Sequence, residues 1–451
     1  MKRRLICNCA AVPVFTILFS LFSSSPLAAQ EQRGQEQWTL DRCIGYALEH
    51  SNEVRQQQLQ VESGEININT ARMSRLPDLS ASLGGNIYFG RGPSRDGTYI
   101  DNSQISGSFG VSTSIPVFQG LRIKHEIDRS KLDFEAATSQ LELVRENISL
   151  QITSFFLQAL YMRELVKISE SQLELSTSQL ELARGRYESG KSSHSDVIDN
   201  ESVVASDQAS LTQSKNNYIL ALLDLRQAMN LPDSVAFEPY VELEKDELPE
   251  YRLLPSLEEV YEASLLLHPS IKVAQLNLES SHAALKGAKS SYYPSLHFTA
   301  GYGNSAFSNL TDRSLNSSFW TQLSNNGNEY VGLSLSIPIF SRNAVRNNVK
   351  LSELNVRNYE IALNESQKAL KKEIEQAYWG AMTAYDAMVA AKKALDAARL
   401  AFENELVKYQ AGKSGVYDYS NAKANLDKAE ATLSHSKYDY ILKYRILEFY
   451  M

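Results

Sequence analysis

Gly185-Arg-Tyr-Glu-Ser-Gly190-Lys191-Ser192 spells GxxxxGK[ST], the pattern of a loop that cradles phosphate with backbone amides and a lysine. That chemistry needs a buried strand before the loop and a helix after it, so that the amides converge on the anion. Here the preceding residues follow a long helical stripe. A second copy of the element, Tyr409-Gln-Ala-Gly412-Lys413-Ser414, has Val407 where the first glycine should stand. Nucleotide binding is therefore not expected. The seven histidines show no HxxxH or HExxH spacing, and His194 stands alone in a polar turn, so neither a metal site nor a cofactor is expected. No serine, cysteine or paired-carboxylate arrangement has catalytic context, so the chain does not read as an enzyme.

What the two turns share is their setting. Each breaks a long helical pattern, follows a tyrosine (Tyr187, Tyr409) and precedes an aspartate (Asp196, Asp418) that opens a second long helix. An acid at a helix N-terminus is well placed for structural reasons alone. The echo continues through Leu211/Leu433, Ser214/Ser436 and Tyr218/Tyr440. Upstream it runs through Ile115-Pro116-Val117-Phe118 and Ile337-Pro338-Ile339-Phe340, and on to Pro77/Pro294 and Leu48/Leu265. Almost the whole chain is one long unit given twice.

Residues 1–29 read as a secretory signal: Lys2, Arg3 and Arg4 begin it, Ala10 to Phe22 form its apolar run, and Leu27-Ala28-Ala29 offers a cleavage site. Cys43 is then the one cysteine left, which excludes an intramolecular disulfide and a cysteine metal site. The formal net charge of −8 becomes more negative without the leader, a poor fit to nucleic acid. No other stretch is long and apolar enough for a membrane helix, so strands would have to do any crossing.

The first repeat spans 30–230, with a helix over 39–76, strands over 79–89 and 105–117 and a helical hairpin over 119–229. The second spans 257–451, with a helix over 257–292, strands over 295–303 and 330–340 and a hairpin over 342–450. An acid- and proline-rich connector, 231–256, lies between. In the strands, Leu79, Ala81, Leu83 and Ile87 alternate with Ser80, Ser82, Gly84 and Asn86, as a lipid-facing barrel strand of roughly ten residues requires. The connections 90–102 and 304–329 read as loops, and Tyr88, Tyr302 and Tyr330 lie near strand ends, where an aromatic girdle belongs. The helical segments carry apolar residues at strict sevens: Ala159, Val166, Leu173, Leu180 and Tyr187; Val197, Val204, Leu211, Tyr218 and Leu225; Ala381, Met388, Leu395, Phe402 and Tyr409; Tyr419, Leu426, Leu433, Tyr440 and Leu447. Such a repeat denotes supercoiled, interlocking helices.

Four strands cannot close on themselves, and an open sheet in a bilayer leaves edge donors and acceptors unpaired at several kcal/mol each. Three copies would supply a twelve-stranded wall wide enough for a lumen. The expected fold class is α+β, mainly long α-helices, in a homo-oligomeric tube.

The signal, the duplicated strand–strand–long helical hairpin unit, the Ile-Pro-Val-Phe and Ile-Pro-Ile-Phe strand ends and the Tyr-x-x-Gly-Lys-Ser…Asp tips together resemble the TolC-like outer-membrane factors. The resemblance implies a homotrimer with one 12-stranded barrel in outer-membrane lipid and an α-helical barrel in the periplasm. It further implies a periplasmic adaptor (a membrane fusion protein) docked at Gly190, Lys191, Ser192, Gly412, Lys413 and Ser414, and an inner-membrane pump of RND or ABC type. At the gate it implies a cation-favouring ring of Asp418, weakened here because Asn421 stands where family members often carry a second aspartate. Asp196, Tyr187 and Tyr409 complete the expected gate set. The competing reading is a periplasmic coiled-coil scaffold without a barrel.

Overall fold

The computed structural model describes residues 38–93, 96–101, 103–240 and 254–451. The expected signal peptide and residues 241–253 of the connector lie outside the described residues. The first repeat runs α1 (Leu40–His50), α2 (Asn52–Met73), β1 (Asp78–Tyr88), a small ribbon of β2 (Arg91–Pro93) and β3 (Tyr99–Asp101), β4 (Gln104–Gln119), α3 (Arg122–Glu188) and α4 (His194–Ala228). The second runs α5 (Leu257–Leu267), α6 (Pro269–Ser290), β5 (Ser295–Asn309), a 3-10 turn (Arg313–Leu315), α7 (Phe319–Asn325), β6 (Asn328–Ser336), α8 (Ala344–Gln410) and α9 (Val416–Glu448).

Each helix expected before a strand pair is in fact two. Ser51 is extended, and its hydroxyl accepts from the N–H groups of Glu53 (3.2 Å) and Val54 (3.4 Å), starting a new helix. Its counterpart His268 has the same backbone angles and caps α6 through Nδ1, which accepts from Ser270 N–H at 3.3 Å, with Pro269 in the first turn. A side-chain acceptor that satisfies free N–H groups makes such a break inexpensive, and proline fits only past it. The strand-to-helix corner is also duplicated. Gly120 and Leu121 take positive φ, as do Arg342 and Asn343 at the matching place. A Cβ on Gly120 would lie 2.6 Å from the carbonyl oxygen of Ser290, so the first copy needs glycine there.

The sheet is antiparallel in the order β1-β4-β5-β6. Register puts Leu83, Phe109 and Asn304 side by side, and likewise Ala81, Val111, Tyr302 and Glu329, and Ala300 and Val331. Leu79, Leu83, Ile87, Val331, Leu333 and Leu335 therefore share one face, and all are exposed. The opposite face carries Ser80, Ser112, Gly110, Gly303, Gly332 and Ser334; the Ser80 and Ser112 hydroxyls meet there at 3.0 Å. An apolar outside and a small polar inside is the arrangement of a membrane barrel wall.

Three sequence expectations need correction. Tyr88 and Tyr330 lie on the polar face, since they share parity with Ser80 and Ser334; Tyr330 covers Gly301, where a Cβ would sit 2.7 Å from its ring. Only Tyr302 of the three belongs to the apolar face. The fourth strand ends at Ser336, before Ile337 and Pro338. Proline has no N–H for the ladder; in β4, Pro116 lies past the last β1 pair at Ser114 and is accommodated by a bulge against β5, whereas pairing of β6 with β5 stops before Pro338. The connection 304–329 is not simply loop: β5 continues to Asn309 and α7 follows.

At 1.5 Å per residue, the 67-residue helices α3 and α8 each extend about 100 Å. The stripe at sevens on α8 is buried from Ala381 to Tyr409, and Tyr419, Tyr440 and Leu447 are buried on α9. At the level of α1, Trp38, Cys43, Ile152, Phe156, Leu160, Leu225 and Met229 form the main core. The connector's first residues close over it: Tyr240 N–H donates to Trp38 O at 2.9 Å, and Arg163 Nη1 donates to Pro239 O at 2.7 Å.

Candidate functional site at the helical tips

Both tips end in the same backbone device. After α3, Gly190 at φ +72° lets its N–H reach Tyr187 O (2.9 Å) and lets the Lys191 N–H reach Arg186 O (2.8 Å). After α8, Gly412 at φ +69° repeats this with Tyr409 O (3.0 Å) and Lys408 O (2.9 Å). The last free carbonyls of each helix are thereby satisfied by a left-handed glycine. Lys191 and Lys413 are exposed, and Ser192 and Ser414 are half-buried.

Beyond the glycines the copies diverge. Ser193 and Asp196 form a capping box: Ser193 N–H donates to Asp196 Oδ2 at 3.0 Å, and Asp196 N–H donates to Ser193 Oγ at 3.3 Å. Asp196 is thus engaged in starting α4. The N-cap of α9 is Gly415, which offers no side chain, and Ser414 instead donates to the carboxylate of Glu405. That hydrogen bond, then Lys408 at 3.0 Å, holds the Glu405 carboxyl below the usual range. Asp418 is left exposed in the first turn of α9, with Asn421 exposed one turn on. Tyr187 is exposed and meets His194 edge-on at 5.3 Å.

Tyr409 is the expected site residue most deeply set. Its ring stacks on Tyr419 at 4.9 Å, and its phenol accepts from Nδ2 of Asn200 on α4 at 3.1 Å. Arg186, from the end of α3, donates to the carbonyls of Tyr409 (3.4 Å) and Gln410 (2.5 Å). A cation on the last carbonyls of a neighbouring helix is favoured by their partial negative charge. Two turns along, Lys423 on α9, 3% exposed, pairs with Asp207 on α4. Asp427 lies one turn further, its carboxyl raised to about 6 by burial, against the pull of Lys423. Burial also raises the Tyr419 phenol.

Sequence reading missed Arg186, Asn200, Asp207, Lys423 and Asp427. A signal existed for three of them. Asn200, Asp207 and Ser214 recur at sevens beside the apolar stripe of α4, and Lys423 follows Tyr419 by four, so polar side chains occupy seam positions. The contacts of Arg186, Asn200 and Asp207 join the first hairpin to the second. The tips are one linked unit whose polar seam is finite and breakable, while Asp418 and Asn421 face outward from it.

The family described as outer membrane efflux protein matches residues 43–231 and 260–450, which is both repeats. The chain belongs to the outer membrane efflux protein family. Its place is the outer membrane, as an efflux channel component. The outer membrane protein TolC of Escherichia coli (strain K12) is 22% identical over 379 residues, covering 83% of this chain and 74% of that protein. The outer membrane efflux protein BepC of Brucella suis is 20% identical, covering 83% and 77%. The crystal structure of VceC, an outer membrane protein of Vibrio cholerae, superposes with a TM-score of 0.74 at 17% identity, covering 91% of this chain and 95% of that one. At that identity the likeness establishes the fold, and it is the fold of outer membrane channels.

Proposed function

We propose that three copies of this chain assemble into a duct, with β1 and β6 of neighbouring copies pairing to close a twelve-stranded barrel. The single observation that carries this reading is the sheet itself: an apolar face and a small polar face, with open edges at β1 and β6. In a bilayer those edges require partners. The helices support the same assembly, since Leu182, Ile198, Leu400 and Val407 are exposed beside the buried stripes and await neighbours. The duct carries no chemistry of its own and binds no cofactor; its energy comes from an inner-membrane pump of RND or ABC type through a periplasmic adaptor that docks at the Gly190-Lys191-Ser192 and Gly412-Lys413-Ser414 turns.

In this reading the tip is the gate. Three Asp418 carboxylates line the entrance with Asn421 behind them, and Tyr409 belongs to the link that keeps the hairpins together. Photo-crosslinking in cells from a probe at Ser193, followed by mass spectrometry, tests the docking. Capture of an adaptor and its pump is the expected result; capture of this chain alone would count against it. In planar bilayers, Asp418→Ala is expected to weaken cation preference, and unchanged selectivity would remove the ring. Absence of the protein from the outer-membrane fraction would favour a periplasmic scaffold.

A further inference from the structure

β5 is longer than the strand beside it. β6 begins at Asn328, opposite Gly303, so the backbone of residues 305–309 has no strand on that side. Three amide side chains from the following connection take the strand's place. Asn326 Nδ2 donates to Ser305 O at 2.7 Å. Gln322, itself buried, accepts from Phe307 N–H and donates to Phe307 O, both at 2.8 Å. Asn316 accepts from Asn309 N–H at 2.6 Å and donates to Asn309 O at 2.9 Å. The ladder is continued by side chains, which fixes α7 against the sheet.

The fixing has a direction. Asn304 Nδ2 donates to Leu323 O at 2.7 Å, and Asn316 Nδ2 donates to Ser308 Oγ at 3.0 Å. Asn304 and Ser308 share the face of Phe109, Tyr302 and Ile105, the apolar outer one. So α7 leans on the outside of the wall at its outward end. There Phe319 and Trp320, edge to face at 5.5 Å, are 57% and 75% exposed. Residues 314–328 carry no charged side chain; Asp312 and Arg313 precede them and Glu329 follows. A fixed, uncharged turn of helix with bare aromatic rings, continuous with an apolar belt, suits the boundary between headgroups and acyl chains.

Resting on the barrel reading above, we propose that α7 is a lipid-docking element, inserting the Phe319–Trp320 pair among outer-leaflet lipids at the headgroup–acyl boundary. The partner is lipid, and the amide ladder of Asn316, Gln322 and Asn326 holds the rings ready for it.

The test uses the full-length protein in vesicles of phosphatidylcholine with and without brominated acyl chains. The other two tryptophans are poorly placed for such quenching. Trp38 is buried in the core, and Trp379 lies on α8 roughly 50 Å along the helix from the sheet. Brominated lipid is expected to lower the tryptophan emission of the native protein, and Trp320→Phe should abolish that loss. Leu333→Trp in the Trp320→Phe background places a ring in the middle of the outer face and reports on the barrel separately. Quenching of Trp320 by aqueous acrylamide alone, with the ring at position 333 quenched by lipid, would overturn the proposal and leave the barrel standing. Shielding of Trp320 from both quenchers would overturn it in favour of contact with a second copy. Lipid quenching at neither position would sink the barrel reading, and this inference with it.

Discussion

The phenol of Tyr409 on α8 accepts a hydrogen bond from Asn200 of α4 at 3.1 Å, joining the end of the second hairpin's outgoing helix to the start of the first hairpin's return helix. Asn200 is 2% exposed and also donates to Asp196 O at 2.7 Å. A buried neutral hydrogen bond contributes about 1 kcal/mol net, or roughly a fivefold change in an equilibrium. Tyr409→Phe keeps the stack on Tyr419 and removes only this link. In single-channel recordings it should raise the ratio of open to closed tips by about that factor. Asn200→Ala should do the same or more, and the double variant should add little to the larger single effect.

Lys423 sits between Asp207 and Asp427 with almost no solvent. Removing one member of a buried pair leaves the other uncompensated, at about 3–5 kcal/mol, while removing both is often near neutral. Lys423→Met should therefore lower the thermal transition markedly at neutral pH. Lys423→Met with Asp207→Leu should recover most of the loss. Equal transitions in the two variants would contradict the pairing.

Asp427 has a folded-state pKa of about 6, above the ordinary aspartate value of 3.8, because burial disfavours its charge. The folded state binds this proton more tightly than the unfolded one. Its stabilising share is complete below about 3.8 and is lost as pH rises through about 6. Asp427→Asn should raise stability at pH 7 by on the order of 1–2 kcal/mol after allowance for partial solvent access, read as a higher melting temperature. It should also flatten the melting profile between those two pH values. An unchanged profile would show that burial there is relieved in solution.

Cys43 is fully buried in the core formed by α1, α3 and α4, and its thiol is pushed up to about 12 by that burial. Only the thiolate reacts readily. Maleimide labelling of Cys43 at pH 8 should be negligible in the folded protein and complete in denaturant. Prompt labelling without denaturant would mean that α1 lifts from the shaft.

The periodicities written along the chain determined its elements. Alternation from Leu79 to Ile87 and sevens from Ala381 to Tyr409 depend on local geometry, in which a strand repeats at two and a supercoiled helix at three and a half. Duplication was legible for the same reason, and with it the family. Tertiary structure alone decided the rest. The break at Ser51 depends on a hydroxyl finding two free N–H groups, and the seat of α7 on amide side chains meeting the open edge of β5. Asp196 and Asp418 occupy matching places in the sequence, yet Ser193 engages the first, while Gly415 offers the second nothing. The seam of Arg186, Asn200, Asp207 and Lys423 joins residues more than two hundred positions apart. A periodicity records which face a side chain takes; it does not record which polar group waits on the helix opposite.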